Sequence, residues 1–536
     1  MAIKSRTLSF INSNIYFYVV LFVTMLVTNF PFGFRYFPFA DDYNQYGVYS
    51  LYRTDIWQNV MVRFSNYGMR PLAGLTDAYV IAWFWGQLHW VLLAIVVLRF
   101  CTIVLLDNVL KRSNIVWGRA AAVFFAFFPG IAESAYWISA SSRIVVSAFF
   151  ALFAAHAMLN FLYHARWRKC WFALAIISGF LAQGYYEQGI IFSFVIIFGL
   201  LIIHRKAISN KLLHIWPFVN LLVIGTHYFF MRNVGHLYTR SALTVGNPFG
   251  QAFIIFTRVM QTFYCDHTMT AIHTIRWGAM ELAANYTILA IIISLLGIML
   301  ACSIAFDKMP ECHENKNNFR LSFIAGIVLF TSTFGIFVVL KNAWIFARNT
   351  FFSIIGLGIF VEIAVKSLRF DRYVGTMVLK AVIAFLFTTL FTFSYILEVQ
   401  SIQRTERNDA FIVSNLVDVA KSLDITIDDT VWVLGLLQSY EQKINARITS
   451  QIIDSWAIKG HFEAVTRNSR SPNFIPIMSG AAVNFSDYDF LLGLDENLNV
   501  RVLELQNGEL FFVDTGETFG IVKEGYFYST RVERNE

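Results

Sequence analysis

What most limits the fold of this chain is its succession of long apolar runs, each divided from the next by a short polar or charged segment. They fall at about 15–32, 79–109, 117–130, 143–163, 170–185, 187–204, 212–231, 284–305, 321–340, 345–366 and 376–397. A bilayer core offers no water to backbone N–H and C=O groups, so a run of roughly 20 apolar residues closes its hydrogen bonds within itself as a helix. The chain therefore reads as an all-α polytopic membrane protein of about eleven transmembrane helices. Composition agrees, with 57% hydrophobic and only 14% charged residues and a mean hydropathy of +0.55, outside the usual range of a soluble domain. The net charge of +7 would hint at nucleic acid in a soluble chain. Here Lys and Arg gather between the apolar runs and report topology, so no nucleic-acid partner is expected. Five widely spaced cysteines with no CxxC pair indicate neither a disulfide framework nor a metal cluster.

Lys4 and Arg6 precede the first run and no small-residue cleavage pattern follows it, so the run reads as a retained helix with a cytoplasmic N-terminus. The basic segments near 111–119, 164–169, 204–211, 307–320 and 366–372 then lie inside. The acidic first loop and the segments 130–142, 185–187, 232–281 and 341–349 lie outside. An odd number of spans puts the C-terminal part outside as well, which in a bacterial inner membrane is the periplasm. From about 401 the composition becomes that of a water-soluble domain. Phe411, Ile412, Leu416, Val419 and Leu423 keep helical spacing over 408–423, 430–435 reads as a buried strand, and 500–505 and 510–513 are β-like. The expected organisation is a transmembrane domain over 1–400 and a small α/β domain over 401–536. The latter shows no Gly-rich phosphate loop, metal spacing or nucleophile elbow, so it receives no chemistry.

Chemistry is expected first at Asp41-Asp42-Tyr43, just after the first run. A carboxylate costs several kcal/mol where neither water nor a partner reaches it, so two adjacent ones at a membrane edge point to a binding or catalytic site. The plainer alternative is an N-cap pair opening an interfacial helix. Arg70, Glu133, Arg143, Glu187, Lys341 and Arg348 fall on the same predicted face. For Trp137 an interfacial anchor, and for Arg348 a snorkelling side chain, are the competing roles.

These residues, taken in order, resemble the GT-C glycosyltransferases. The carriers are Asp41-Asp42 after the first helix, Pro129 to Glu133 with Trp137-Ile138-Ser139 and Arg143, Glu187 at a hairpin tip, and Ala347-Arg348-Asn349-Thr350. The pattern is similar to the dolichyl-phosphate-mannose-dependent branch, with Phe128 where a His is usual and two residues more before Arg143. Asp41-Asp42-Tyr43 followed by Arg70-Pro71-Leu72 looks more like bacterial glucosyltransferases that modify O-antigen. The resemblance covers about 10–400 and implies inverting transfer of a sugar from a polyprenyl-phosphate donor to a surface-glycan acceptor on the outer side. Asp41 would be the general base and Asp42 would orient it or bind acceptor. Arg348, with Lys341 and Arg143, would hold the donor phosphate, since an Arg fork matches phosphate oxygens. Arg70, Trp137 and Tyr43 would contact substrate, and Glu133 and Glu187 would bind sugar hydroxyls or fix those arginines. No cofactor is expected, although adjacent carboxylates can hold Mg or Mn beside a phosphate. Two other classes stay open. An O-antigen polymerase or ligase would use Arg232, Arg240, Arg258 and Arg276 of the long outer loop, and a lipid or glycan transporter would place ionisable residues mid-span.

Overall fold

The computed structural model describes residues 13–39, 41–51, 70–164, 166–207, 222, 225, 247–307, 316–338, 345–367, 374–437, 450, 452–468, 470–482 and 488–529. Lys341 and nearly all of the run at 212–231 lie outside these residues. The chain divides into two units. The first comprises Met1–Arg35, Met61–Leu75 and His89–Val399, and the second Tyr36–Val60, Thr76–Leu88 and Gln400–Glu536.

The first unit is helical. Its main helices are α1 (Asn14–Asn29), α2 (Leu88–Arg112), α3 (Arg119–Phe127), α4 (Ile138–Tyr163), α5 (Arg168–Tyr185), α6 (Glu187–Ile203), α7 (Thr287–Ala305), α8 (Lys316–Ser332) and α9 (Phe351–Ser367), together with the start of α10 (Val374–Ser422). Among the described residues five helices are long and apolar enough to cross a membrane: α2, α4, α7, α9 with its preceding turn, and α10. Most other expected runs correspond to shorter helices, for reasons the sequence contains. The run at 117–130 yields only the nine residues of α3. Glu362 accepts a hydrogen bond from the Ala121 N–H at 3.0 Å near its start, where unpaired N–H groups favour a carboxylate. Pro129 and Gly130, the latter at φ 83°, end it. The run expected from 79 becomes α2 only at Leu88, after a 3-10 turn at Ile81–Phe84 and Gly86 at φ 88°.

Small side chains let these helices approach. Ala148, Ala151, Ala154 and Ala155 of α4 are wholly buried, and α4 packs along α5 and α6. A Cβ on Gly189 of α6 would overlap Ser147 Oγ. Likewise, Gly356 of α9 lies against the Gly326 carbonyl of α8. Close packing through Gly and Ala is how helices associate where the surroundings are as apolar as their side chains. Ile288, Ile291, Leu295 and Ile298 of α7, and Val378, Leu379, Val382 and Leu386 of α10, are exposed. Apolar stripes of this length suit lipid rather than water.

The second unit carries a seven-stranded sheet in the order β2-β1-β3-β4-β5-β6-β7. The strands are β1 (Thr430–Leu434), β2 (Asn473–Ile477), β3 (Phe490–Leu494), β4 (Val500–Gln506), β5 (Glu509–Phe512), β6 (Thr518–Lys523) and β7 (Tyr526–Ser529). β1 is parallel to β2 and β3, and the rest of the sheet is an antiparallel meander. Successive side chains of β1 point to opposite faces. Val431 and Val433 join a core with Ile412, Val413 and Leu416 of α10 and Ile458 and Phe462 of α11 (Ser455–Thr466). Trp432 and Leu434 join a second core with Leu510, Phe512, Phe519 and Phe527 of the meander. The apolar run at 376–397 and the amphipathic segment at 408–423 are not separate helices. Both belong to the 49-residue α10, because no Pro or Gly occurs from 376 to 422 to break it.

Candidate functional site

In the first unit, charged side chains gather at helix ends. Arg348 sits in a 3-10 turn, Ala347–Thr350, that opens α9. Its guanidinium pairs with Glu133 at 3.3 Å and lies over the rings of Trp137 at 5.2 Å and Phe346 at 5.0 Å. The turn is fixed by Asn349, whose Oδ1 accepts from the Phe346 N–H at 2.9 Å and whose Nδ2 donates to the Tyr186 hydroxyl at 2.8 Å. Gln188 Nε2 donates to the Asn349 carbonyl at 2.9 Å. Tyr186 occupies the turn between α5 and α6 and in turn carries Arg70 over its ring at 4.7 Å. Arg70 makes a two-pronged pair with Glu187, its Nε donating at 2.5 Å to one carboxylate oxygen and its terminal nitrogen to the other. Arg143, in the second turn of α4, is buried and near enough to Arg70 for the two cations to oppose each other.

The result is two arginines, Arg70 and Arg348, acting on one buried tyrosine, with Arg143 close to Arg70. Burial, and after it the Glu187 carboxylate, push the Tyr186 hydroxyl up to about 12, so it is a donor or acceptor and not a base at neutral pH. The pairs involving Arg348 and Arg70 leave side chains that are 26% exposed in both cases. Each guanidinium is oriented by one carboxylate and keeps further N–H donors, the arrangement that suits a phosphate or carboxylate group.

Of the residues expected from sequence, Glu133, Trp137, Arg143, Glu187, Arg70 and Arg348 belong to this unit, and two acid–base pairs form among them. Glu133 and Glu187 therefore hold arginines, one of the two roles open to them. Lys341 lies outside the described residues. Sequence reading passed over Glu398 and placed His267 only among the histidines of the long outer loop, yet these two fix the 129–132 turn that leads into Glu133. His267 bonds the Pro129 carbonyl at 2.5 Å and Thr350 Oγ1 at 2.9 Å. Glu398 accepts from the Gly130 and Ala132 N–H groups at 2.5 and 3.3 Å. The signal for Glu398 was present, as a carboxylate directly after an apolar run. His267 had only its place in a long loop.

Asp41, Asp42 and Tyr43 belong to the second unit. Asp42 is wholly buried and accepts from the Phe39 N–H at 2.9 Å and from the Tyr36 hydroxyl. It ties its own turn back to Phe39 and Tyr36, and its side chain accepts from no N–H of the helical turn that follows. Asp41 is half-buried and has no hydrogen-bond or ion-pair partner among the described residues. The chain then widens into a π-helical turn, Tyr43–Gly47, a form that often marks functional segments. The Tyr43 ring stacks on His461 at 3.5 Å and 18°, meets Trp85 edge-on at 5.4 Å, and its hydroxyl donates to Glu406 at 2.6 Å. Neither its face nor its hydroxyl is turned to solvent. Desolvation, with the Glu406 carboxylate next, pushes the Tyr43 hydroxyl well up, and burial pushes His461 down to about 3. Among the described residues no group of three His, Cys, Asp or Glu side chains is placed to hold a metal ion. No family model, curated protein or solved structure matches the chain.

Proposed function

We propose that the protein is a membrane glycosyltransferase of GT-C type, with about eleven spans, that moves a sugar from a polyprenyl-phosphate donor to a glycan acceptor, O-antigen or another lipid-linked surface glycan, on the outer side of the membrane. The observation that supports this reading is the gathering of Arg70, Arg143 and Arg348, two of them each held by a glutamate, at the ends of apolar helices. A cationic cluster of that kind is costly beside lipid and is repaid when it binds an anion at the interface.

The chemistry follows from the donor. A sugar on a lipid phosphate carries its own leaving group, so the barrier is lowered by charge placed where the phosphate departs and by a base at the acceptor hydroxyl. Arg348, preset by Glu133 and clamped between Trp137 and Phe346, is assigned to the phosphate, with Arg143 and Lys341 assisting. Asp41 is assigned as the base: it takes the acceptor proton as the hydroxyl oxygen attacks the anomeric carbon from the face opposite the phosphate, with inversion. Asp42, already spent on the Tyr36 and Phe39 bonds, sets the position of Asp41. The arginines neutralise the departing phosphate, so the step as written needs no cofactor, and Mg or Mn stays open for titration. The cytoplasmic N-terminus and the extracytoplasmic C-terminal domain are part of the same proposal.

The test is sugar transfer from synthetic polyprenyl-phosphate glucose, mannose and galactose in membranes bearing the protein and a lipid-linked glycan. Transfer that Arg348→Ala abolishes while the protein remains inserted supports the reading, and transfer indifferent to Arg348→Ala overturns the phosphate assignment.

A further inference from the structure

The second unit brings the acidic turn together with the C-terminal sequence, more than 350 residues away along the chain. Four contacts hold it. Tyr43 donates to Glu406 at 2.6 Å, Tyr43 stacks on His461 at 3.5 Å, Asn44 Nδ2 donates to the Trp456 carbonyl at 3.2 Å, and the Arg407 guanidinium lies over the Phe37 ring at 4.9 Å. The fit leaves no slack. A Cβ on Gly460 of α11 would overlap the Asn44 carboxamide, and one on Gly47 would overlap Ala464. Beside the stack, Pro38, Phe39, Asp409, Ile452 and Ala457 close a recess of about 10 Å³, room for about one water. His461 Nε2 is buried there with no hydrogen-bond partner among the described residues.

We propose that α11 and the 400–410 stretch of α10 are a positioning clamp for Asp41 and Asp42, with Glu406, His461 and Gly460 as positioning residues. The proposal rests on the glycosyltransferase reading for the role of the carboxylates and on the four contacts for the clamp. It gives the C-terminal domain a part in the reaction that its own sequence does not announce. A carboxylate base works only within hydrogen-bond reach of its proton, and a displacement near 1 Å originating far from the chemistry can cost about 100-fold. The clamp acts one and two residues from Asp42 and so sets the direction of Asp41.

The test is a double-mutant cycle between Gly460 and Asn44 in the full chain. Gly460→Ala pushes the Asn44 side chain away, and Asn44→Ala removes the atoms it meets. Gly460→Ala is expected to lower kcat about 10-fold or more with little change in donor KM, and Gly460→Ala/Asn44→Ala to restore most of the loss. Glu406→Leu lowers kcat in the same way, whereas Glu406→Gln, which still accepts from Tyr43, recovers most of it. Hydrogen exchange over 36–51 provides a readout free of activity: it rises in Gly460→Ala and falls back in the double variant. Unchanged exchange in Gly460→Ala, or a kcat loss that Asn44→Ala does not relieve, overturns the clamp. A wild type that transfers no sugar overturns the functional reading and the positioning role with it, while the exchange result still decides whether α11 holds the turn.

Discussion

The arginine cluster of the first unit and the tyrosine clamp of the second both use acids and aromatic rings, but to opposite ends. Around Arg348 and Arg70 each carboxylate meets a cation, and the arginine side chains stay about a quarter exposed. Around Tyr43 the Glu406 carboxylate meets a neutral hydroxyl, the ring face is taken by a neutral imidazole, and Tyr43 and His461 are 8% and 3% exposed. A preset cation with spare donors is built to receive something, whereas a sealed neutral stack is built to hold something. Under the proposed function the first region would bind substrate and the second would position the carboxylates.

The sharpest way to break that assignment is at Arg348. Removing an oriented charge donor from a developing anion costs about 100- to 1000-fold in kcat, so Arg348→Ala should lose that much in transfer assays and Arg348→Lys should recover only part, lacking the fork. Glu133→Gln, which leaves the cation but not its orientation, should cost less, about 10-fold. At Arg70 the effect moves from rate to stability. Glu187→Gln breaks a two-pronged pair and strands a guanidinium, expected to cost about 2–4 kcal/mol given its partial exposure, and Arg70→Met with Glu187→Met should recover much of this in thermal melts. The smallest effect is one of pH. His461 takes up a proton near 6.5 when unfolded but only near pH 3 when folded, so the unfolded state binds more protons between those values. The His461 contribution to the stability of the second unit therefore falls as pH drops from about 6.5 towards 3, by up to about 1.4 kcal/mol per pH unit, while Glu406, raised by burial to about 7, contributes in the opposite sense from about 7 to 4.5, so the fall stands alone only below about 4.5. Exchange of the 455–466 amides against pH checks this, and His461→Phe should flatten the slope.

The parts of the molecule differ in how legible they were. Apolar periodicity located α4, α7 and α9 because a helix in lipid must satisfy its own backbone, a rule local to each segment. The β1 strand and the meander were legible for the same local reason, alternation or short apolar runs between turns. The change of composition near 401 falls where the second unit resumes at Gln400, and α10 runs unbroken through that point because no Pro or Gly interrupts it. Within the site, Glu133, Glu187 and Arg348 stood out as charges at the ends of apolar runs, but their pairing did not. Arg70 meets Glu187 across 117 residues, and no spacing rule operates at that range. The surroundings of Tyr43 were hidden for a related reason. An aromatic beside two aspartates points to contact with substrate, and only the structure brings His461, 418 residues later in the chain, against its ring.

In the proposed function this chain transfers a sugar from a lipid phosphate, with Arg348 holding the phosphate and Asp41 taking the proton. The measurement that bears on it most directly is transfer of radiolabelled sugar from polyprenyl-phosphate donors into lipid-linked glycan by membranes carrying wild type, Arg348→Ala or Asp41→Asn, with equal insertion verified. The account predicts transfer from at least one donor by wild type and its loss in both variants. Transfer that persists in both, or a wild type inactive with every donor in membranes that contain the acceptor, would contradict it.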